Sequence, residues 1–248
     1  MKILVVGLGG HMGREVGRLA SAGLHGAELA GGVSPHGCTE FDVPCAPDFS
    51  TARTDVDCII DFSNHGLTEQ LLSFAVANGL PLVLATTGQT EAERAAIEKA
   101  AERIPLFFAS NCSIGVALLV ELAKKTASVF PDAEIEIIEE HHDRKLDAPS
   151  GTALTIANAL CEVRPDATLH TGRSGHAKRT KEEIGIHAIR LGNIVGEHEV
   201  LVSTGNETIT LKHEAHSRAL FAEGAIAAAA FLQGKGPGLY TMNHMVRL

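Results

Sequence analysis

Ile3-Leu4-Val5-Val6-Gly7-Leu8-Gly9-Gly10-His11-Met12-Gly13 is the stretch whose reading decides the fold. Four apolar residues, three of them β-branched, stop abruptly at glycines, the pattern of a buried parallel strand. Met12–Ala22 then carries helical spacing. Strand, glycine loop and helix in that order let the backbone approach a pyrophosphate at a helix N-terminus, where partial positive charge collects. The spacing is G-x-x-G-x-x-G with an extra Gly9, not a strict G-x-G-x-x-G, and a tight glycine turn without ligand is the plain alternative. The strand before and helix after it favour a dinucleotide site.

Working outward, Ala27–Val33 reads as a glycine-interrupted strand, and residues 34–56 as loop-rich, with Pro35, Pro44 and Pro47. Asp57–Phe62, Leu82–Leu84 and Leu106–Phe108 are further strands, with helices at Leu67–Ala77 and Thr90–Arg103 between them. This alternation predicts a Rossmann-type parallel α/β sheet. Its strand ends carry small polar residues: Phe62-Ser63, Ala85-Thr86-Thr87-Gly88 and Ser110-Asn111-Cys112-Ser113. Ligands of open parallel sheets bind outside such carboxyl ends. An acid ordinarily ends the second strand and holds the ribose; here stands Gly32-Val33-Ser34-Pro35-His36, with neither acid nor Arg or Lys. His36 could meet a 2′-phosphate, but a surface loop residue is the plainer reading.

The pattern changes after residue 113. Ile114–Val129 is a long apolar helix, Ala133–Glu140 an alternating strand, and Gly151–Val163 a helix. Ile184–Leu191, Glu199–Ser203 and Thr208–Lys212 look antiparallel. A second α+β domain on an open, mainly antiparallel sheet is expected over 114–218. Residues 1–113 and 219–248 form the dinucleotide domain, with the apolar helix Ala219–Leu232 packing back on it.

The chain has 248 residues, 45% hydrophobic, and a formal net charge of −9. That charge argues against nucleic acid as main partner. No apolar run reaches the ~18 residues of a membrane span, and the first apolar run is too short for a signal peptide. Five cysteines, odd in number and without C-x-x-C, read as reduced thiols in a cytoplasm. Arg173, Lys178, Arg179 and Lys181 read as a mobile solvated loop.

Glu139-Glu140-His141-His142-Asp143-Arg144-Lys145-Leu146-Asp147-Ala148-Pro149-Ser150-Gly151-Thr152-Ala153 concentrates chemistry. Imidazoles titrate near neutral pH and trade protons. Arg144 and Lys145 offer positive charge. Pro149 to Thr152 presents hydroxyls and backbone N–H groups at a helix start, a natural anion site. Adjacent strand residues point to opposite faces, so His141 and His142 are not expected to share a metal, and no metal site is expected.

This run closely resembles the signature of the 4-hydroxy-tetrahydrodipicolinate reductase (dihydrodipicolinate reductase) family of lysine and diaminopimelate biosynthesis. Supporting matches run along nearly the whole chain: Val6 to Gly13, Asp61-Phe62-Ser63, Ala85 to Gly88, Asn111 to Val116, Gly192 to His198 and His216-Ser217-Arg218. The resemblance implies His141 and Lys145 as catalytic residues, and His142, Gly151 and Thr152 as substrate contacts. It implies a cofactor site of Gly7, Leu8, Gly9, Gly10, His11, Met12, Phe62, Ala85, Thr86, Thr87, Ser110, Asn111, Cys112 and Ser113. It further implies NADH or NADPH as cofactor, a small cyclic dicarboxylate as substrate, and a cytoplasmic homotetramer assembled through the second sheet. Ser34-Pro35, where many relatives have an acid followed by a basic residue, and Asn64, where some have Arg, leave the choice between NADH and NADPH open. Another NAD(P)-dependent dehydrogenase, acting for example on an amino acid, and a non-catalytic dinucleotide sensor are the competing readings. The His-His-x-x-Lys-x-Asp-Ala-Pro-Ser-Gly-Thr run argues against the first, and a sensor would not need a clustered proton donor, lysine and anion cradle.

Overall fold

The computed structural model describes residues 1–246. It divides into two compact units, Met1–Ser113 with Arg218–Met245, and Ile114–Ser217 with Val246. The first unit begins β1 (Lys2–Val6), α1 (His11–Ser21), β2 (Glu28–Val33), β3 (Cys45–Ala46) and β4 (Cys58–Asp61). It continues with α2 (Thr68–Asn78), β5 (Leu82–Leu84), α3 (Glu91–Ala101) and β6 (Pro105–Phe108). The second unit holds α4 (Ile114–Val129), β7 (Glu134–His141), α5 (Gly151–Val163), β8 (Thr168–Thr171), β9 (Glu183–Arg190), β10 (Gly196–Ser203) and β11 (Thr208–Ala215). The chain then returns to the first unit as α6 (Ala219–Leu232) and β12 (Gly238–Tyr240).

The first sheet has seven strands in the order β12-β6-β5-β4-β1-β2-β3, all parallel. Its central strands are buried on both faces, Ile3–Val6 and Cys58–Ile60 among them. That explains why they read as unbroken apolar runs. α6 packs on α1, β4, β5 and β6, burying a run of alanines with Ile226 and Leu232. The edge strands β3 and β12, of two and three residues, carry no periodicity long enough to read from sequence.

Cys38 and Cys45 form a disulfide, with Cα atoms 5.9 Å apart, which corrects the reading of all five cysteines as reduced. The cause is topological: the loop leaving β2 returns as β3 beside it, Gly32 pairing with Cys45, so the two ends of the loop meet. Cys58, Cys112 and Cys161 are free.

The second sheet runs β11-β10-β7-β9-β8. β10 is antiparallel to β11 and β7, whereas β9 is parallel to both β7 and β8. The sheet is therefore mixed, and the expectation that 184–191 is antiparallel is corrected. α5 follows β7 as a crossover, and a strand reached through a crossover helix returns parallel. α4 and α5 contact β7, β9, β10 and β11, and Ile135, Ile137, Ile184, Ile186, Val200 and Val202 are buried with them in one core. The basic stretch is also more ordered than expected. Arg179 donates to the carbonyls of Ile135 (2.9 Å) and Glu183 (2.6 Å) and to the Glu136 carboxylate (3.2 Å), pinning the 173–181 segment to β7. Lys181 pairs with Asp132 at 2.7 Å. No helix among the described residues is long and apolar enough to cross a membrane.

Candidate active site

Four parallel strands of the first sheet end at one level. Val6 pairs with Asp61, Asp61 with Leu84, and Leu84 with Phe108. The ladder continues one step beyond: Gly7 N–H donates to Val33 O, Phe62 N–H to Val6 O, Ala85 N–H to Asp61 O and Ala109 N–H to Leu84 O. The four loops opening from this edge carry the expected cofactor residues. Gly7 sits at φ +83°, and a Cβ there would lie 2.8 Å from Phe62 O. A Cβ on Gly13 would meet Gly7 O at 2.0 Å, so these glycines let loop and helix close on one another. α1 starts at Gly10 with no side-chain cap and no acid in its first turn, leaving its positive end for an anion.

A cavity of about 400 Å³ opens there, lined by Gly7, Leu8, Gly9, Gly10 and Phe62 among others. His11 and Met12 form the first turn of α1. Leu8 is fully buried, so it can offer a ligand only backbone. Ala85, Thr86 and Thr87 follow β5 and Ser110 to Ser113 follow β6, outside the lining of that cavity. The Thr86 hydroxyl donates to buried Asp61 Oδ2 at 2.7 Å, and Ser63 N–H donates to Asp61 Oδ1 at 3.1 Å. Asp61 thus ties the loops after β4 and β5 together, a positioning task not assigned from the sequence. Burial pushes its carboxyl pKa up, opposed by Ser63 and Thr86. The Cys112 thiol is buried, and desolvation pushes its pKa up to about 12.

The cavity's far wall is residues 34–41, including Ser34 and exposed His36. It also holds Arg14 and Glu40, paired at 3.4 Å. Sequence reading missed both: Arg14 lies on α1 and Glu40 six residues past Ser34, neither at the usual strand end.

In the second unit the alternation of β7 builds the site. Ile135 and Ile137 face the helices, and period two carries Glu139 and His141 to that same face. Register adds neighbours: His198 stands opposite Glu139, and Arg190 pairs with His141. The apolar stripe of the sheet therefore gives way, at one end, to four polar residues beside the start of α5. Glu139 is wholly buried. Arg190 donates from Nη1 to its Oε2 (2.9 Å) and from Nη2 to its Oε1 (2.7 Å). His141 Nδ1 lies 2.6 Å from Oε2, and Ser150 N–H donates to Oε1 at 2.9 Å. Burial alone would raise the Glu139 pKa, but these donors outweigh it and hold the carboxyl below its ordinary value. For His141, burial lowers the pKa while Glu139 pulls it back up, leaving it below the usual imidazole value. His198 is lowered to about 4, chiefly by burial, and its Nε2 is 3.1 Å from Ser150 Oγ.

Ser150 caps α5, accepting from Ala153 N–H. Gly151 is exposed with no atom within 4 Å of where a Cβ would be, and Thr152 is half-buried beside it. The first turn contains no acid. His142 Nδ1 is buried without a hydrogen-bond partner among the described residues. Lys145 Nζ holds Asp147 Oδ1 at 2.8 Å. The structure thus brings His141, His142, Lys145, Gly151 and Thr152 onto one short β7–α5 connection, and adds Glu139, Arg190, His198 and Ser150. Among the described residues no group of His, Cys, Asp or Glu is placed to hold a metal ion.

Family models for dihydrodipicolinate reductase match both parts of the chain, the N-terminal model over residues 1–112 and the C-terminal model over 115–246. The chain belongs to the 4-hydroxy-tetrahydrodipicolinate reductase family. Relatives of that name from Clostridium tetani and Caldanaerobacter subterraneus subsp. tengcongensis are each 41% identical. The first alignment covers 99% of this chain and 97% of the relative, the second 100% and 98%. The fold is also that of a dipicolinate-bound dihydrodipicolinate reductase from Paenisporosarcina sp. TG-14. That structure is 24% identical, with TM-score 0.83 over 99% of each chain. As a family member the chain is an oxidoreductase using a nicotinamide cofactor, with the family's reductase role in lysine biosynthesis.

Proposed function

We propose that the chain converts 4-hydroxy-tetrahydrodipicolinate, NAD(P)H and a proton to tetrahydrodipicolinate, NAD(P)⁺ and water, with His141 as proton donor. The observation that carries this reading is the β7–α5 connection, where a carboxylate-held imidazole, a lysine and the acid-free first turn of α5 share one short segment. The bound nicotinamide supplies the hydride. The glycine loop and the start of α1 would hold its pyrophosphate; the fit rests on the uncapped, acid-free first turn of α1 and on the tight turn that Gly7 and Gly13 allow. Gly151 and Thr152 bind one carboxylate of the substrate, with His142 Nδ1 as a further polar contact. His141 gives its proton to the carbon framework as charge builds there. Lys145 exchanges Asp147 for the substrate and steadies a carboxylate or the departing hydroxyl.

Both NADH and NADPH serve. At the ribose end the cation is Arg14, already paired with Glu40, so a 2′-phosphate meets neither a free cation nor a lone acid. The proposed assembly is a cytoplasmic homotetramer through the second sheet. Its face away from α4 and α5 carries Ile138 and Leu201, with Ile189 40% exposed beside them; a monomeric mass on sedimentation would contradict it. Loss of NADH and NADPH absorbance on adding 4-hydroxy-tetrahydrodipicolinate tests the function. Turnover with both is expected; binding of cofactor without turnover would leave the sensor reading.

A further inference from the structure

Resting on the reading of His141 as donor, we propose that Glu139 is a positioning residue which accepts a hydrogen bond from His141 Nδ1–H and so leaves Nε2 as the nitrogen that delivers the proton. A carboxylate among apolar side chains is not needed to hold a sheet together. A buried ion pair is often no more stable than apolar residues of equal volume. Yet Glu139 stands in the row of Ile135 and Ile137, fully buried, where an aliphatic side chain would continue the core. Its four donors divide evenly. Oε2 receives Arg190 Nη1 and His141 Nδ1, and Oε1 receives Arg190 Nη2 and Ser150 N–H. One carboxylate therefore fixes both the ring and the first residue of the anion cradle.

Arg190 is what makes the arrangement specific. It is itself anchored to Asp147 O at 2.6 Å, so the carboxylate cannot rotate away from the ring. An ionised carboxylate only accepts, hence the proton between it and His141 belongs to Nδ1. At the other edge of the ring, Gly196 on β10 keeps space open: a Cβ there would stand 3.0 Å from His141 Nε2. The charged and titratable groups facing His141 are Glu139 from its own strand, Arg190 from β9, His198 from β10 and Lys145 from the following loop. Of these only Glu139 favours the protonated ring.

The test joins ¹H–¹⁵N long-range spectra of ¹⁵N-histidine-labelled protein with kinetics of Glu139→Gln. The wild-type spectrum is expected to show neutral His141 protonated at Nδ1. In Glu139→Gln that tautomer preference is lost and the His141 midpoint falls. kcat drops about 10²-fold, within the range for impaired general acid catalysis, with its alkaline decline starting at lower pH and KM little changed. In a His141→Gln background the same substitution adds little further loss. An Nε2-protonated His141 in the wild-type spectrum would overturn the proposal and needs no variant to fold. Equal losses of kcat in both backgrounds with an unchanged tautomer would overturn it too, showing Glu139 to be structural only. Wild-type kcat in His141→Gln alone would instead sink the donor reading, an outcome distinct from either.

Discussion

The two strand-to-helix connections that carry the proposed chemistry, β1 to α1 and β7 to α5, are built by opposite means. At β1–α1 the backbone is the recognition element. Gly7 and Gly13 keep the turn tight, no side chain caps the helix, and Leu8 points into the core. At β7–α5 the helix is capped by Ser150, and the turn is organised by a buried carboxylate, an arginine and two imidazoles. The first suits a ligand bound by backbone dipoles. The second suits a ligand that must also be given a proton. A site made of glycine fails through sterics; a site made of charge fails through uncompensated burial.

That difference can be broken most severely at Arg190. Arg190→Ala strands Glu139 without its main partner, and removing one member of a buried pair costs about 3–5 kcal/mol. Urea unfolding should show that loss; a change near zero would mean the pair is solvated in solution. Acid should act on the same cluster by about 3 kcal/mol, from His198 alone. Its folded pKa of about 4 lies below the unfolded imidazole value, so the unfolded state binds the proton first as pH falls. The stability is complete above roughly pH 6.5 and is lost progressively down to pH 4. Unfolding curves at pH 7 and 4.5 measure it, and His198→Asn should flatten the difference.

Thr152→Val removes one hydrogen bond to a charged group, about 1.5–3 kcal/mol. Inhibition by pyridine-2,6-dicarboxylate should therefore weaken roughly 10- to 100-fold; unchanged inhibition would refute the cradle. The glycine side offers the smallest effect. Glu40→Ala breaks an exposed pair worth about 0.2–1 kcal/mol. Binding of NADPH relative to NADH should then shift by less than about tenfold. A much larger shift would make Glu40 the selective contact.

The same contrast explains what the sequence disclosed. The first site was legible because glycine and a short apolar run carry their meaning locally. In the second, the 139–153 run was legible, and Glu139 and His141 share a face by simple alternation. Arg190 and His198 were not, because register brings them from strands about fifty residues away. The parallel setting of β9 escaped for the same reason: pairing direction follows from α5 as a crossover, not from residues 184–191. The Cys38–Cys45 bond and the Arg14–Glu40 pair depend on the return of a loop through β3, a two-residue strand without a sequence signal.

The central claim is that the charged connection exists to deliver a proton, and His141→Gln tests it most directly. The account predicts a folded protein that still binds NADH and pyridine-2,6-dicarboxylate while kcat falls about 10²- to 10⁴-fold. A folded variant turning over 4-hydroxy-tetrahydrodipicolinate at the wild-type rate would contradict it.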